Sequence, residues 1–187
     1  MPERTLRLAV IVGSVRAGRF APVVRKWLEG RLAEQDDFTV DLIDLADLVL
    51  PDSLDGSGDA ELFCKRVAGA DAFVVITPEY NHSFPGGLKT AIDTAHDEWI
   101  AKPVALVSYG GMAGGLRAAE QLRLVFAELQ AVTMRETVSF HWAHQLFDED
   151  GTLRDAEQAN AAARSMLDQL RWWAVALRGA REGSVAA

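Results

Sequence analysis

Apolar positions along the chain fall into short continuous runs separated by longer stretches with helical spacing. Five runs predict strands: Leu6 to Val12, Phe38 to Leu45, Ala72 to Thr77, Pro103 to Ser108, and a weaker one around Val132 to Phe140. Val24, Trp27, Leu28 and Leu32 recur at helical spacing after Pro22, a residue favoured in a first helical turn. Leu62, Val67 and Ala68 predict a second helix, and Gly87 to Ala95 a third. A fourth runs from Gly115 to Glu128 through Leu122, Val125 and Phe126. The last is long, from about Asp155 to Arg178, with Ala163, Met166, Leu170, Trp173 and Leu177 on one stripe.

The first, third and fourth strands are almost uninterrupted Val, Ile, Leu and Ala, the pattern of parallel strands covered by helices on both faces. A strand, helix, strand rhythm implies right-handed crossovers and a doubly wound sheet, hence a three-layer α/β/α sandwich. The 187 residues fit one domain, and Asp52 to Asp59 reads as a loop rather than a linker.

Composition narrows the function classes. The formal net charge is −8, which argues against nucleic acid as a partner, because that affinity rests on clustered Lys and Arg. No apolar run approaches the roughly 18 to 20 residues of a membrane helix, so no membrane association is expected. The apolar run near the start is too short for a secretory signal, and Cys64 has no internal partner for a disulfide. The expected location is cytoplasmic.

In an open parallel sheet, ligands sit beyond the carboxyl ends of the strands, so the loops after the first, third and fourth strands carry the candidate chemistry. The first is Gly13-Ser14-Val15-Arg16-Ala17-Gly18-Arg19-Phe20-Ala21, which opens a helix. Free N–H groups at a helix start, a Ser hydroxyl and two arginines suit a phosphate; a plain turn with solvated arginines is the alternative. The spacing is not Gly-x-Gly-x-x-Gly, and no Gly-Lys-Ser/Thr occurs. The second loop, Thr77 to Gly87, sets Glu79, Tyr80 and Asn81 between two prolines. The third, Ser108-Tyr109-Gly110-Gly111-Met112-Ala113-Gly114-Gly115, has two glycine pairs that either form a tight turn or lay backbone flat against a planar ligand.

Taken together, these loops resemble those of the NAD(P)H-dependent FMN reductase family. The resemblance covers Leu6 to about Phe140 and rests on Gly13-Ser14-Val15-Arg16, on Pro78-Glu79-Tyr80-Asn81 with Pro85, Gly86 and Lys89, and on Ser108 to Gly111 with Gly114. It implies a flavodoxin-like fold with a five-stranded parallel sheet in the order 2-1-3-4-5. It further implies bound FMN, NADPH or NADH as co-substrate, and an acceptor such as a quinone, flavin, azo compound or oxidised metal ion. By resemblance, Ser14, Arg16, Arg19, Phe20 and Ala21 hold the phosphate, Pro78 to Asn81 line the isoalloxazine, and Ser108, Tyr109, Gly110, Gly111 and Gly114 border its other edge. Many members carry Ser and Asn where this chain has Arg19 and Ala21. A homodimer or homotetramer is implied as well. No catalytic acid or base is required, because the hydride chemistry belongs to the cofactor.

The rival readings are a flavodoxin-like electron carrier or flavin-binding regulator without turnover, and a dehydrogenase using Asp44 for a ribose. His141 and His144 suit a metal only with a third ligand, which the sequence does not offer, and solvated loop histidines are expected. His82 sits inside the second loop, Arg117 and Arg123 are candidate readers of a 2′-phosphate, and Cys64 reads as a buried inert thiol. Trp172 and Trp173 are expected to pack the core and flank the sheet, with a subunit interface as the alternative for one of them.

Overall fold

The protein is described here by a computed structural model covering residues 5–184. The three continuous apolar runs become β1 (Leu6–Val12), β3 (Ala72–Pro78) and β4 (Pro103–Tyr109) at the centre of a parallel sheet, with β2 (Phe38–Asp44) outside β1. Alternate side chains of each central strand go to opposite cores. Leu8, Val10, Val12, Val74, Ile76, Ala105 and Val107 face one, while Ala9, Ile11, Phe73, Val75, Val104 and Leu106 face the other. Neither face meets water, which is why these strands read as unbroken apolar runs.

The first core is closed by α1 (Ala21–Leu32) and the long C-terminal helix Glu157–Ser184. The second is closed by α2 (Ala60–Gly69), α3 (Gly86–Thr94) and α4 (Leu116–Glu128), with Trp99 fully buried between Phe73 and Phe126. Helix, sheet and helix form the three layers expected, and the strand order is β2-β1-β3-β4 followed by the last ribbon.

That last ribbon departs from expectation. It is two strands, β5 (Val132–Thr133) and β6 (Val138–Phe140), both paired with β4, so the sheet has six strands rather than five. Val132 and Thr133 pair Pro103 and Val104, and Val138 next pairs Val107, so the ribbon carries two more residues than β4 over the same span. The excess bulges out where Arg135 is exposed, while Met134 stays buried and its N–H donates to the Val104 carbonyl at 2.8 Å. Helix α5 (Ala143–Leu146) follows β6, and α6 (Glu157–Ser184) is the last element among the described residues.

Helix α6 outruns its expected end at Arg178 because tertiary contacts hold its last turns. Arg178 and Arg181 reach the Asp71 carboxylate at 3.7 and 3.6 Å, and Arg181 donates to the Ala101 carbonyl at 2.5 Å. On this helix Trp173 packs against the first core as expected, whereas Trp172 is 64% exposed, its ring perpendicular to that of Trp173. Asp52 to Asp59 is a loop, closed by reciprocal bonds between Val49 and Asp59, each 2.8 Å.

At the opposite end of the sheet from the three loops, Lys102 is buried with Nζ donating to the carbonyls of Val67 and Ala68, both at 2.9 Å. Burial pushes its pKa down to about 8, Arg181 and Arg7 push the same way, and Asp71 and Glu98 oppose them. Between that value and the ordinary 10.5, the unfolded chain binds the proton and the folded chain does not, so stability gained from Lys102 rises with pH through this window. Urea midpoints should show the wild type gaining about 1–2 kcal/mol over Lys102→Met between roughly pH 7.5 and 9.5; a constant difference across that range would refute the burial argument.

Candidate functional site

The crossover from β1 goes outward to β2, and the chain then returns to place β3 on the other side of β1. A crevice opens at such a reversal, beyond the carboxyl ends of the strands. Here it is a cleft of about 460 Å3, lined by Arg16 from the first loop, Pro78 to Tyr80 from the second, Tyr109 to Gly111 from the third, and Trp142 to Gln145 from the segment after β6.

The first loop presents donors. Backbone N–H groups of Ser14 to Gly18 find no acceptor among the described residues, and they stand at the mouth of α1, the positive end of its dipole. Arg16 is exposed, and its guanidinium makes no hydrogen bond or ion pair with the described residues. Ser14 is fully buried and its hydroxyl shares a 3.0 Å hydrogen bond with the Tyr80 hydroxyl. Arg19 points elsewhere: both its Nη atoms donate to the carboxylate of Asp44. Asp44 is thereby committed and offers no free carboxylate for a ribose. Phe20 packs its ring on His144 at 4.4 Å and on Phe147 at 5.6 Å, and Ala21 is wholly buried under the helix start.

The second loop is rigid for a visible reason. Tyr80 and Ser83 exchange backbone hydrogen bonds of 2.8 and 3.0 Å across Asn81 and His82, which both have positive φ, 49° and 68°. Two central residues at positive φ define a type I′ turn, for which Asn is among the few suitable side-chain-bearing residues. Asn81 and His82 therefore shape the loop and lie on its exposed tip, outside the cleft lining. The tip is tied to α4, where Gln121 donates to the His82 carbonyl and accepts from the Ser83 hydroxyl. Glu79 is also tied: its carboxylate accepts from the Arg117 guanidinium at 2.8 Å and from the Arg117 N–H at 3.3 Å, at the start of α4.

Glycine matters most in the third loop. Gly115 has φ 87°, and a Cβ there would come within 2.6 Å of Ser108 Cβ and 2.7 Å of the Tyr109 nitrogen. The Ser108 and Ser139 hydroxyls both donate to the Gly114 carbonyl, at 3.0 and 2.8 Å, so Ser108 and Gly114 brace the loop from behind while Gly110 and Gly111 form the cleft surface. Burial, with Tyr80 adding to it, raises the Tyr109 pKa, and the hydroxyl keeps its proton.

The wall after β6 was missed in the sequence. Trp142 has φ 50°, its N–H donates to the Gly111 carbonyl at 2.8 Å, and its indole is 53% exposed at the cleft. Ala143 donates to the Gly110 carbonyl at 3.1 Å. His141 Nδ1 lies 2.8 Å from the Met112 carbonyl oxygen, and His144, an aromatic partner of Phe20, is exposed like His141, in keeping with loop histidines that meet solvent. The available signal was positional: Phe140-His141-Trp142 stands at the carboxyl end of a strand, like the other three loops.

Among the remaining candidates, Arg123 is engaged with Glu120 and with the Met134 and Arg135 carbonyls. Arg117 pairs through Nη1 with Glu79, and its side chain stays 38% exposed. Cys64 is half-buried with its thiol donating to the Thr94 carbonyl at 3.3 Å, and burial, with Glu98 behind it, raises its pKa. No group of three or more His, Cys, Asp or Glu suited to a metal occurs among the described residues, and none of the described helices is long and apolar enough to cross a membrane.

The sheet order and the crevice define a flavodoxin-like protein. Residues 6–145 match the model of a family described as NADPH-dependent FMN reductase. An NAD(P)H-dependent FMN reductase of Schizosaccharomyces pombe is 36% identical over 141 residues, 67% of this chain and 70% of that protein. A probable NADPH:quinone oxidoreductase of Oryza sativa is 33% identical over 188 residues, 94% of this chain and 92% of that protein. Among solved structures, the flavoenzyme NAD(P)H:(acceptor) oxidoreductase FerB from Paracoccus denitrificans superimposes with a TM-score of 0.73 at 26% identity, covering 91% of this chain and 97% of that one. The chain belongs to the NADPH-dependent FMN reductase family, and is thus an FMN-dependent oxidoreductase with a nicotinamide electron donor. The cleft fits that cofactor: unpaired N–H donors and a free guanidinium at one end suit a phosphate, and a glycine surface at the other admits a flat ring.

Gly115→Ala should lower the unfolding free energy by about 2–4 kcal/mol, since it combines a left-handed backbone with contact against fixed atoms. Chemical denaturation would measure this, and a loss under about 0.5 kcal/mol would show that the loop yields freely.

Proposed function

We propose that the cleft binds FMN with its phosphate against Ser14 to Gly18 and its ring over Gly110 and Gly111, and that a nicotinamide and then an acceptor use the open side in turn. The observation carrying this reading is the run of unpaired N–H groups beside the uncommitted Arg16, in a cleft whose lining also includes Gly110 and Gly111. When bound, FMN supplies the chemistry of accepting and passing on a hydride. The chain's own residues bind and orient. Arg16 offers a charge-assisted bond to the phosphate, and Pro78, Glu79 and Tyr80 hold one wall through the braced second loop. Trp142, Ala143 and His144 form the facing wall and narrow the access of water.

A quinone is the acceptor best supported, by the name of the Oryza relative; a free flavin, an azo compound or an oxidised metal ion are further acceptors, and NADPH or NADH is the donor. A homodimer or homotetramer is supported by Met112, Leu116 and Trp142, large apolar side chains exposed around the cleft and the loop behind it. A cytoplasmic location accords with the lone unpaired Cys64.

The decisive test is the visible spectrum of the purified protein with FMN, followed by anaerobic NADPH and then a quinone. Bound flavin that bleaches and recolours is the expected result. Flavin that stays oxidised would make the protein a carrier or regulator, and no flavin binding would refute the reading. Arg16→Ala should weaken FMN binding roughly ten- to a hundredfold, the equivalent of one charge-assisted hydrogen bond, in a fluorescence titration. Unchanged affinity would remove Arg16 from the phosphate site.

A further inference from the structure

Arg19 lies in the loop that offers its N–H groups to an anion, yet its guanidinium turns the other way. Nη1 donates to Asp44 Oδ1 at 2.5 Å and to the Ser14 carbonyl at 2.6 Å, and Nη2 donates to Asp44 Oδ2 at 2.7 Å. The two side chains are only 16% and 6% exposed. Asp44 is itself held: it ends β2, it is in register with Val12 at the end of β1, and its Oδ1 also accepts from the Ala46 N–H. The bond to the Ser14 carbonyl has a directional consequence. In a trans peptide the C=O and N–H point in opposite directions, so fixing the Ser14 carbonyl on Arg19 turns the Val15 N–H away from the ion pair. That N–H is one of the unpaired donors of the loop.

We infer that Asp44 and Arg19 are positioning residues for the phosphate of the flavin: their ion pair braces the Ser14–Val15 peptide so that the loop's N–H groups converge, and Arg19 does not touch the phosphate. This rests on the FMN reading above. It opposes simple electrostatics, in which a carboxylate near a phosphate repels it and its removal tightens binding. With the brace, removal of Asp44 loosens the loop and weakens binding. Asp44 thus serves an anion site although it carries the same sign of charge.

The test titrates flavin-free protein with FMN and with riboflavin, which lacks the phosphate, and follows quenching of flavin fluorescence. Asp44→Ala should weaken FMN binding roughly five- to fiftyfold while changing riboflavin binding less than about twofold. Arg19→Ala should do the same, and the double variant should be no weaker than the weaker single one, because both changes remove one brace. Asp44→Asn, whose amide oxygen still accepts from Arg19, should recover part of the affinity and covers the case in which Asp44→Ala fails to fold. FMN binding that is unchanged or tighter in Asp44→Ala and Asp44→Asn would overturn the inference, as would a loss confined to Arg19→Ala, which would mean direct contact. Equal losses for both flavins would overturn it too, since the brace acts on the phosphate end alone. Wild-type protein that binds neither flavin would instead refute the FMN reading itself.

Discussion

Burial of both faces of β1, β3 and β4 is the constraint on which the rest of the structure depends. Strands with no wet face leave polar function nowhere to go but their ends, and the parallel register brings those ends level: Val12 beside Ile76, and Pro78 beside Tyr109. Each loop leaving that edge is then free to be polar, because the energy of the fold comes from the two cores beneath it.

The loops are joined to one another in a closed circuit. The first meets the second through the Ser14 and Tyr80 hydroxyls, and the second meets the third through the Glu79 N–H on the Tyr109 carbonyl. The third meets the segment after β6 through the N–H of Gly110 on the Phe140 carbonyl and that of Trp142 on the Gly111 carbonyl, and His144 returns to the first loop through Phe20. A cleft walled by four segments from different parts of the chain is thus held by contacts between neighbours around the ring. Such contacts limit how far any one wall moves alone.

The layers, the central strands and the helix positions were legible in the sequence because apolar periodicity reports burial directly. Two kinds of feature were not. The division of the last ribbon depends on two surplus residues at Arg135 and Glu136, and a bulge leaves no mark on hydropathy. Side-chain pairing was equally hidden. The motifs located Arg19, Glu79 and Asn81 on the right loops, but Arg19 turns to Asp44, Glu79 to Arg117, and Asn81 serves a backbone turn. Partners 25 and 38 residues away in sequence are set by tertiary proximity alone. Trp142 escaped notice because its strand is three residues long and its loop contains no glycine signature.

The carboxylate of Glu79 at the head of α4 also gives the cleft a polarity. Two helices, α1 and α4, begin close to it, and each brings the positive end of a dipole. At α4 that positive end is already met by an internal carboxylate, whereas at α1 it remains open beside Arg16. An elongated ligand with one anionic tip therefore encounters one attractive pole rather than two, and a molecule lying end for end the wrong way finds its charge facing a spent helix. Glu79 thus leaves the start of α1 as the open pole of the cleft.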